Sequence, residues 1–274
     1  MLSKKQKVHL DKVFASGGLT ELSLQQSRKI ALKTKIPLRY IEWFALEKGI
    51  VPCRYQRNIG SIGITGQKKL LESKIIIIGL GGLGGYVAEE LARLGAGRII
   101  GVDPGAFDQT NLNRQLFSDE SNINKKKIDL AGKRLKKINQ GVDFKGFAIS
   151  FDKLPDRIWH NTDVVFDCLD NIADRFVLAD KCSQTKIPLV HGAIAGWYGQ
   201  VAVIWPKTAM LEKIYRNRTF GIEKNMGNPP FTAAVAASLM AAESIKILIG
   251  KILEKKQKLL FFDLLEGEWQ TIRF

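Results

Sequence analysis

Four consecutive isoleucines, Ile75 to Ile78, run straight into Gly79-Leu80-Gly81-Gly82-Leu83-Gly84. A continuous β-branched run is a strand buried on both faces, which needs helices above and below it. The glycines then dictate a tight turn into a helix. Gly79 makes the turn, Gly81 with Gly82 lets a phosphate approach the backbone, and Gly84 lets helix and strand pack closely. The start of that helix offers unpaired N–H groups and partial positive charge to an anion. Asp103 ends the next apolar run, 98–102, where a carboxylate can accept hydrogen bonds from ribose hydroxyls. This is a nucleotide site in βαβ context, and at this point NAD and ATP are both open.

The rest of the chain keeps the alternation. Helix is predicted over 83–94, 125–138, 173–185 and 231–250, and strand over 98–102, 144–149, 163–167, 189–191 and 199–205. Segments 259–265 and 269–274 flank Glu266-Gly267-Glu268 as a closing antiparallel hairpin. The expected fold is α/β, a doubly wound, mainly parallel, Rossmann-like sheet with an N-terminal helical appendage. The appendage is placed at 1–53 and the nucleotide-binding domain at 54–274. Within the appendage, 1–19 reads as a loose lysine-rich lead-in ending in Ser16-Gly17-Gly18. A helix capped by Ser23 follows, then a second over 37–48 with Pro37 at its first position and Gly49 past its end. Residues 51–66 read as a linker.

With 274 residues, 45% apolar and 25% charged, the chain has globular composition, which excludes global disorder. The longest apolar runs, 75–84 and 231–242, are too short to span a bilayer. No signal peptide is visible and the three cysteines, Cys53, Cys168 and Cys182, form no CxxC pair, so a cytoplasmic, reduced protein with no membrane partner is expected. The net charge of +15 is mostly N-terminal: residues 1–74 hold 15 Lys and Arg against 5 Asp and Glu. Such a field suits nucleic acid, a nucleotide or an acidic protein. The two-helix hairpin has the outline of a DNA reader. Its second helix, however, balances Arg39 and Lys48 against Glu42 and Glu47, so nucleic acid is not the expected partner.

Two further motifs, Asn111-Leu112-Asn113-Arg114-Gln115 and Asp167-Cys168-Leu169-Asp170-Asn171, fall at the carboxyl edge of the sheet. Hydride transfer needs neither an arginine beside phosphates nor an acid for a metal. Breaking the α–β bond of a triphosphate needs both. With these motifs the chain resembles the ThiF/MoeB/HesA adenylyltransferases, relatives of ubiquitin-activating enzymes. The likeness also rests on Arg54-Tyr55-Gln56-Arg57-Asn58, Gly66-Gln67-Lys68-Lys69-Leu70, Lys127, Arg175, Gly192-Ala193 and Gly199-Gln200-Val201.

The resemblance implies ATP-dependent adenylation of the C-terminal glycine of a small ubiquitin-like sulfur-carrier protein ending in Gly-Gly. Its setting would be sulfur transfer for molybdenum or tungsten cofactor, thiamine or related biosynthesis. It implies Asp103 on the ribose, Asn111, Arg114 and Lys127 on the polyphosphate, Gln115 nearby, and Asp170 on Mg²⁺. It also implies a homodimer in which Arg57 reaches the partner's phosphates. Chemically, the nucleophile is already an anion, so positioning and charge neutralisation by Arg57, Arg114, Lys127 and the metal suffice. The alternatives are an NAD(P)-dependent oxidoreductase and a non-catalytic nucleotide- or DNA-binding module.

The chain departs from the family in three places. It lacks the paired CxxC motifs of a structural zinc, so no zinc is expected; Gly105 replaces an acid; and Asn124 stands where a glycine is usual. His191 and Cys182 read as core, Cys168 as packed rather than nucleophilic, Lys126 as a solvated helix start, and His9 and His160 as unrelated to any metal. Cys53 has no neighbour that would activate it. Trp197-Tyr198 reads equally as a turn packed on the core and as a base-stacking pair.

Overall fold

The computed structural model describes residues 2–15, 20–216, 226–252 and 257–274; Ser16-Gly17-Gly18 of the expected lead-in lie outside them. Of its described residues, Lys4–Ala15 are helical. In α1 (Lys4–Ala15), Leu10 and Phe14 stand four apart and are buried, while lysine, a good helix former, takes the outer face. β1 (Glu21–Leu22) leads to α2 (Leu24–Thr34), where Ser23 and Gln26 cap each other reciprocally. Pro37 is the N-cap of α3 (Leu38–Glu47) rather than its first residue. These helices share a small core of Leu10, Phe14, Ile30, Ile41 and Phe44.

The expected linker is also structured. β2 (Val51–Pro52) pairs with β1, a turn covers Cys53–Tyr55, and α4 (Gln56–Glu72) begins at once. The glycines at 60, 63 and 66 gave this stretch a loop-like composition. Only Gly63 leaves helical geometry, at φ 72° and ψ 167°, and α4 kinks there.

From β3 (Lys74–Ile78) the chain runs through α5 (Gly82–Leu94), β4 (Arg98–Val102), α6 (Lys127–Ile138), β5 (Asp143–Phe147), α7 (Asp156–Trp159), β6 (Val164–Asp167) and α8 (Ile172–Thr185). It closes with β7 (Leu189–Ala195), β8 (Tyr198–Ile204), α9 (Met210–Tyr215), α10 (Pro230–Leu248), β9 (Lys258–Asp263) and β10 (Glu268–Arg273). The main sheet is ordered β10-β9-β8-β7-β6-β3-β4-β5. β5, β4, β3, β6 and β7 are parallel; β8, β9 and β10 add antiparallel beyond β7. The antiparallel part therefore begins one strand earlier than a terminal hairpin alone.

The isoleucine run splits as the pleat demands. Ile75 and Ile77 join the core under α5 and α10, and Ile76 and Ile78 the one under α8 and α9. α10 is 19 residues long with mean hydropathy 1.5, enough by length and composition to cross a membrane, which the shorter run 231–242 did not suggest. Here it lies against α5 and β7 and buries Ala233, Ala236, Ala237, Met240 and Ala241.

A buried polar cluster locks the appendage to the sheet. Glu42 on α3 is 1% exposed; it accepts from Tyr55 Oη at 3.0 Å and pairs with Arg54 at 3.3 Å. Asn139 donates to Tyr55 Oη and to the Ala92 carbonyl, both at 3.0 Å. Burial raises the Glu42 carboxyl above its ordinary value, against the pull of Arg54 and Tyr55. Removing one partner of a buried pair strands the other, at a cost of about 3 kcal/mol. Glu42→Ala is therefore expected to lower the urea-unfolding free energy by about that amount with helix content unchanged by circular dichroism.

Candidate functional site

The glycine loop is the closest backbone approach at the site. Gly79 has φ +89°, and a Cβ there would meet the Cys168 carbonyl oxygen at 2.6 Å. A Cβ on Gly84 would lie 1.8 Å from the Gly79 carbonyl oxygen. α5 starts at Gly82 on the cavity wall with no side-chain cap among the described residues, which leaves the N–H groups of its first turn available to an anion. Asp103, 7% exposed, ties the turn to the end of β4. Its Oδ2 accepts from Leu80 N and its Oδ1 from Gly105 N, each at 2.7 Å.

A cavity of about 330 Å³ opens at the carboxyl ends of β3, β4 and β6, where the strand order reverses. The structure brings Gly79, Gly81, Gly82, Asp103, Arg114, Gln115, Lys127 and Asp170 to its wall. Arg114 Nη1 is held by the Thr110 carbonyl at 2.7 Å and by Asn113 Oδ1 at 2.9 Å. Lys127 Nζ stands 5.9 Å from the Phe107 ring centre. Gln115 is 7% exposed, and its buried Oε1 has no hydrogen-bond partner among the described residues, an acceptor that a ligand donor would satisfy. Asp170 is exposed at the cavity wall. Helix-start N–H groups, the cations of Arg114, Lys127 and Arg175, and an acceptor and a carboxylate without partners among the described residues suit a nucleoside triphosphate with a divalent cation.

Three expected residues are elsewhere. Gly84 packs beneath the loop. Asn111, 5% exposed, is spent on its own turn, donating to Asp108 Oδ1 at 3.0 Å and accepting from Asp108 N at 3.3 Å. Arg57 is exposed in the first turn of α4, outside the cavity lining. The cavity also uses Ser150, Phe151 and Asn228, which sit in no motif. Asn171 and Asp174 join them; Asn171 Oδ1 caps α8 at Asp174 N, 2.8 Å. The Asn171-x-x-Asp174 spacing is a capping signal that the sequence did carry.

The departures have local reasons. Asn124 has φ +64°, a left-handed position that asparagine tolerates in place of glycine. A Cβ at Gly105 would lie 3.1 Å from Asp103 Oδ1 and 3.6 Å from Lys127 Nζ, so this position borders both groups. Trp197 sits at the β7–β8 turn, tilted on Phe231 at 4.5 Å and lining no part of the cavity.

Beneath the floor lies a buried polar chain. His191 is fully buried, with Nδ1 2.7 Å from Asp167 Oδ2 and Nε2 3.2 Å from Tyr215 Oη. Burial lowers the His191 pKa against the pull of Asp167, so the imidazole is neutral. Burial works against ionising Asp167, but Arg175 and His191 outweigh it and hold the carboxyl below its ordinary value. Burial and Asp167 push the Cys168 thiol up, and burial does the same to Cys182; neither is poised as a nucleophile.

Residues 55–274 match the ThiF family. The adenylyltransferase and sulfurtransferase MOCS3 of Xenopus laevis is 31% identical across 80% of this chain and 51% of its own length, so the chain spans about half of that relative. The sulfur carrier protein ThiS adenylyltransferase of Escherichia coli is 30% identical across 80% of this chain and 90% of its own. Among solved structures, Escherichia coli MccB with ATP superposes with a TM-score of 0.66 at 21% identity, covering 90% of this chain and 82% of that one, a likeness of fold.

The buried pair has a measurable pH signature. His191 is held below 6.5 and Asp167 below 3.8, so as pH falls the unfolded chain takes up protons that the folded one refuses. Their stabilisation is present above pH 6.5 and drains away as pH drops through the lowered folded values. One such group changes stability by at most about 1.4 kcal/mol per pH unit. Unfolding curves between pH 7.5 and 5 are expected to give a shallower pH slope for His191→Gln than for the parent.

Proposed function

The chain belongs to the ThiF family, and we propose that it adenylates the C-terminal glycine of a small sulfur-carrier protein ending in Gly-Gly, at the expense of ATP. The single observation that carries this reading is the convergence of the glycine turn, Asp103, Arg114, Lys127 and Asp170 on one cavity. The open N–H groups of α5 bind phosphate oxygens, and Asp103 takes the ribose hydroxyls. Arg114 and Lys127 neutralise charge as it moves onto the leaving pyrophosphate. A carboxylate oxygen of the carrier attacks the α-phosphorus, the bond to the bridging oxygen breaks, and pyrophosphate leaves. No proton moves, because the nucleophile enters as an anion. Asp170 would hold Mg²⁺, which supplies further neutralisation of the polyphosphate. The acyl adenylate then awaits a sulfur nucleophile. The named activities of the MOCS3 and ThiS-directed relatives support the substrate class. We keep a cytoplasmic setting, an absence of zinc and the division near residue 53 as parts of the same reading.

ATP–pyrophosphate exchange is expected when Mg²⁺ and a Gly-Gly-ending carrier are supplied together, with hydride transfer from NAD(P)H absent. Asp170→Ala is expected to cut exchange by about 10²-fold or more with the fold intact by circular dichroism. Exchange-free mixtures across a panel of carriers would sink the reading.

Arg57, exposed on α4 and outside its own cavity wall, is proposed to act on the partner's site in a homodimer. Arg57→Ala and Asp170→Ala dimers should each be nearly inactive. Refolding them together at equal ratio should restore about a quarter of parental exchange, since about half the dimers are mixed and each mixed dimer has one intact site. No recovery despite proven subunit exchange would confine Arg57 to its own chain.

A further inference from the structure

The floor beneath Asp170 contains more order than a simple support requires. Leu169 is held on both sides of its backbone. Its N–H donates to Asp167 Oδ1 at 3.1 Å, and its carbonyl accepts from Arg175 Nη2 at 2.6 Å. That carbonyl belongs to the peptide joining Leu169 to Asp170, so Arg175 sets the plane from which the Asp170 side chain departs. Arg175 is itself 95% buried at the edge of the cavity, and its Nη1 donates to Tyr215 Oη at 2.5 Å.

The direction of these hydrogen bonds is fixed by what each group can do. Guanidinium and amide N–H groups only donate, so Tyr215 Oη accepts from Arg175 and, at 3.5 Å, from Gln200. Its single proton is left for His191 Nε2, 3.2 Å away. His191 therefore carries its own proton on Nδ1, donated to Asp167. The phenol is oriented by buried His191 and half-buried Gln200 and presents a lone pair to Arg175. Replacing its hydroxyl would leave both the guanidinium and the imidazole short of a partner.

We propose that Tyr215 is a positioning residue for Asp170, acting through Arg175 and the Leu169–Asp170 peptide. The role rests on the reading of Asp170 as the metal-side carboxylate. It assigns to α9, an element remote in sequence from both motifs, control over how the site answers to a divalent cation. Outer partners of metal ligands typically change metal affinity by about 10- to 100-fold when removed.

The test is equilibrium binding of ATP to the full chain by calorimetry, across a Mg²⁺ titration and in EDTA. In Tyr215→Phe, the Mg²⁺ concentration that half-maximally tightens ATP binding is expected to rise about tenfold. Affinity in EDTA should stay within about twofold, because the glycine loop and Asp103 are untouched. In an Asp170→Asn background the same substitution should add nothing to the Mg²⁺ dependence. Arg175→Lys, which keeps a cation but cannot reach Leu169 and Tyr215 together, should reproduce the loss and serves if Tyr215→Phe fails to fold. An unchanged Mg²⁺ response in Tyr215→Phe, or in Arg175→Lys where only that variant folds, would overturn the inference while leaving the proposed function standing. A parent protein whose ATP binding ignores Mg²⁺ would overturn the assignment of Asp170 and this inference with it.

Discussion

Everything at the site is built around one contact distance that only hydrogen can occupy. The Gly84 α-carbon lies so close to the Gly79 carbonyl that any Cβ would sit 1.8 Å from its oxygen. This closeness draws the start of α5 down onto the end of β3, and with it the N–H groups of its first turn. Asp103 closes the arrangement from the next strand by taking the Leu80 and Gly105 amides, one on each carboxylate oxygen. The turn, the helix and the second strand thus depend on one another.

A second tier of polar groups lies where water does not reach. Asp167, His191, Arg175 and Tyr215 join β6, β7, α8 and α9, and every hydrogen bond among them has a definite sense. The Glu42, Tyr55, Arg54 and Asn139 cluster does the same between appendage and sheet. Such buried networks are costly when incomplete and confer a unique geometry when satisfied. Their placement, one under the Asp170 loop and one at the root of the segment carrying Arg57, puts rigidity next to both residues.

Much of this was legible in the sequence for a plain reason. The Ile75–Ile78 run and the glycine turn are local signals, and Asp103 follows β4 directly, as the spacing predicts. Where structure and sequence reading part, the reasons are equally physical. Residues 51–66 read as linker, yet α4 starts at Gln56 and of Gly60, Gly63 and Gly66 only Gly63 breaks helical geometry. Residues 1–19 read as loose because lysine density hides the Leu10 and Phe14 pair, whose burial requires partners from α2 and α3. Asn111, part of the second motif, bonds within its own turn to Asp108, a local contact that the motif does not announce. Tyr215 was invisible because its importance comes from tertiary contacts with residues on three other elements.

The pairing of β3 with β6 has a consequence for how folding is read. Ile78 is matched to Asp167, placing the glycine turn and the Asp170 loop side by side although they come from opposite halves of the chain. A one-residue slip of β6 would turn Asp167 away from His191 and toward the other layer. A two-residue slip would carry Asp170 about 7 Å along the strand axis, out of the shared cavity. Nucleotide affinity is therefore a gauge of sheet register. A refolded population that has native helix and strand content but mispaired central strands would look intact to circular dichroism and would be counted as empty by ATP.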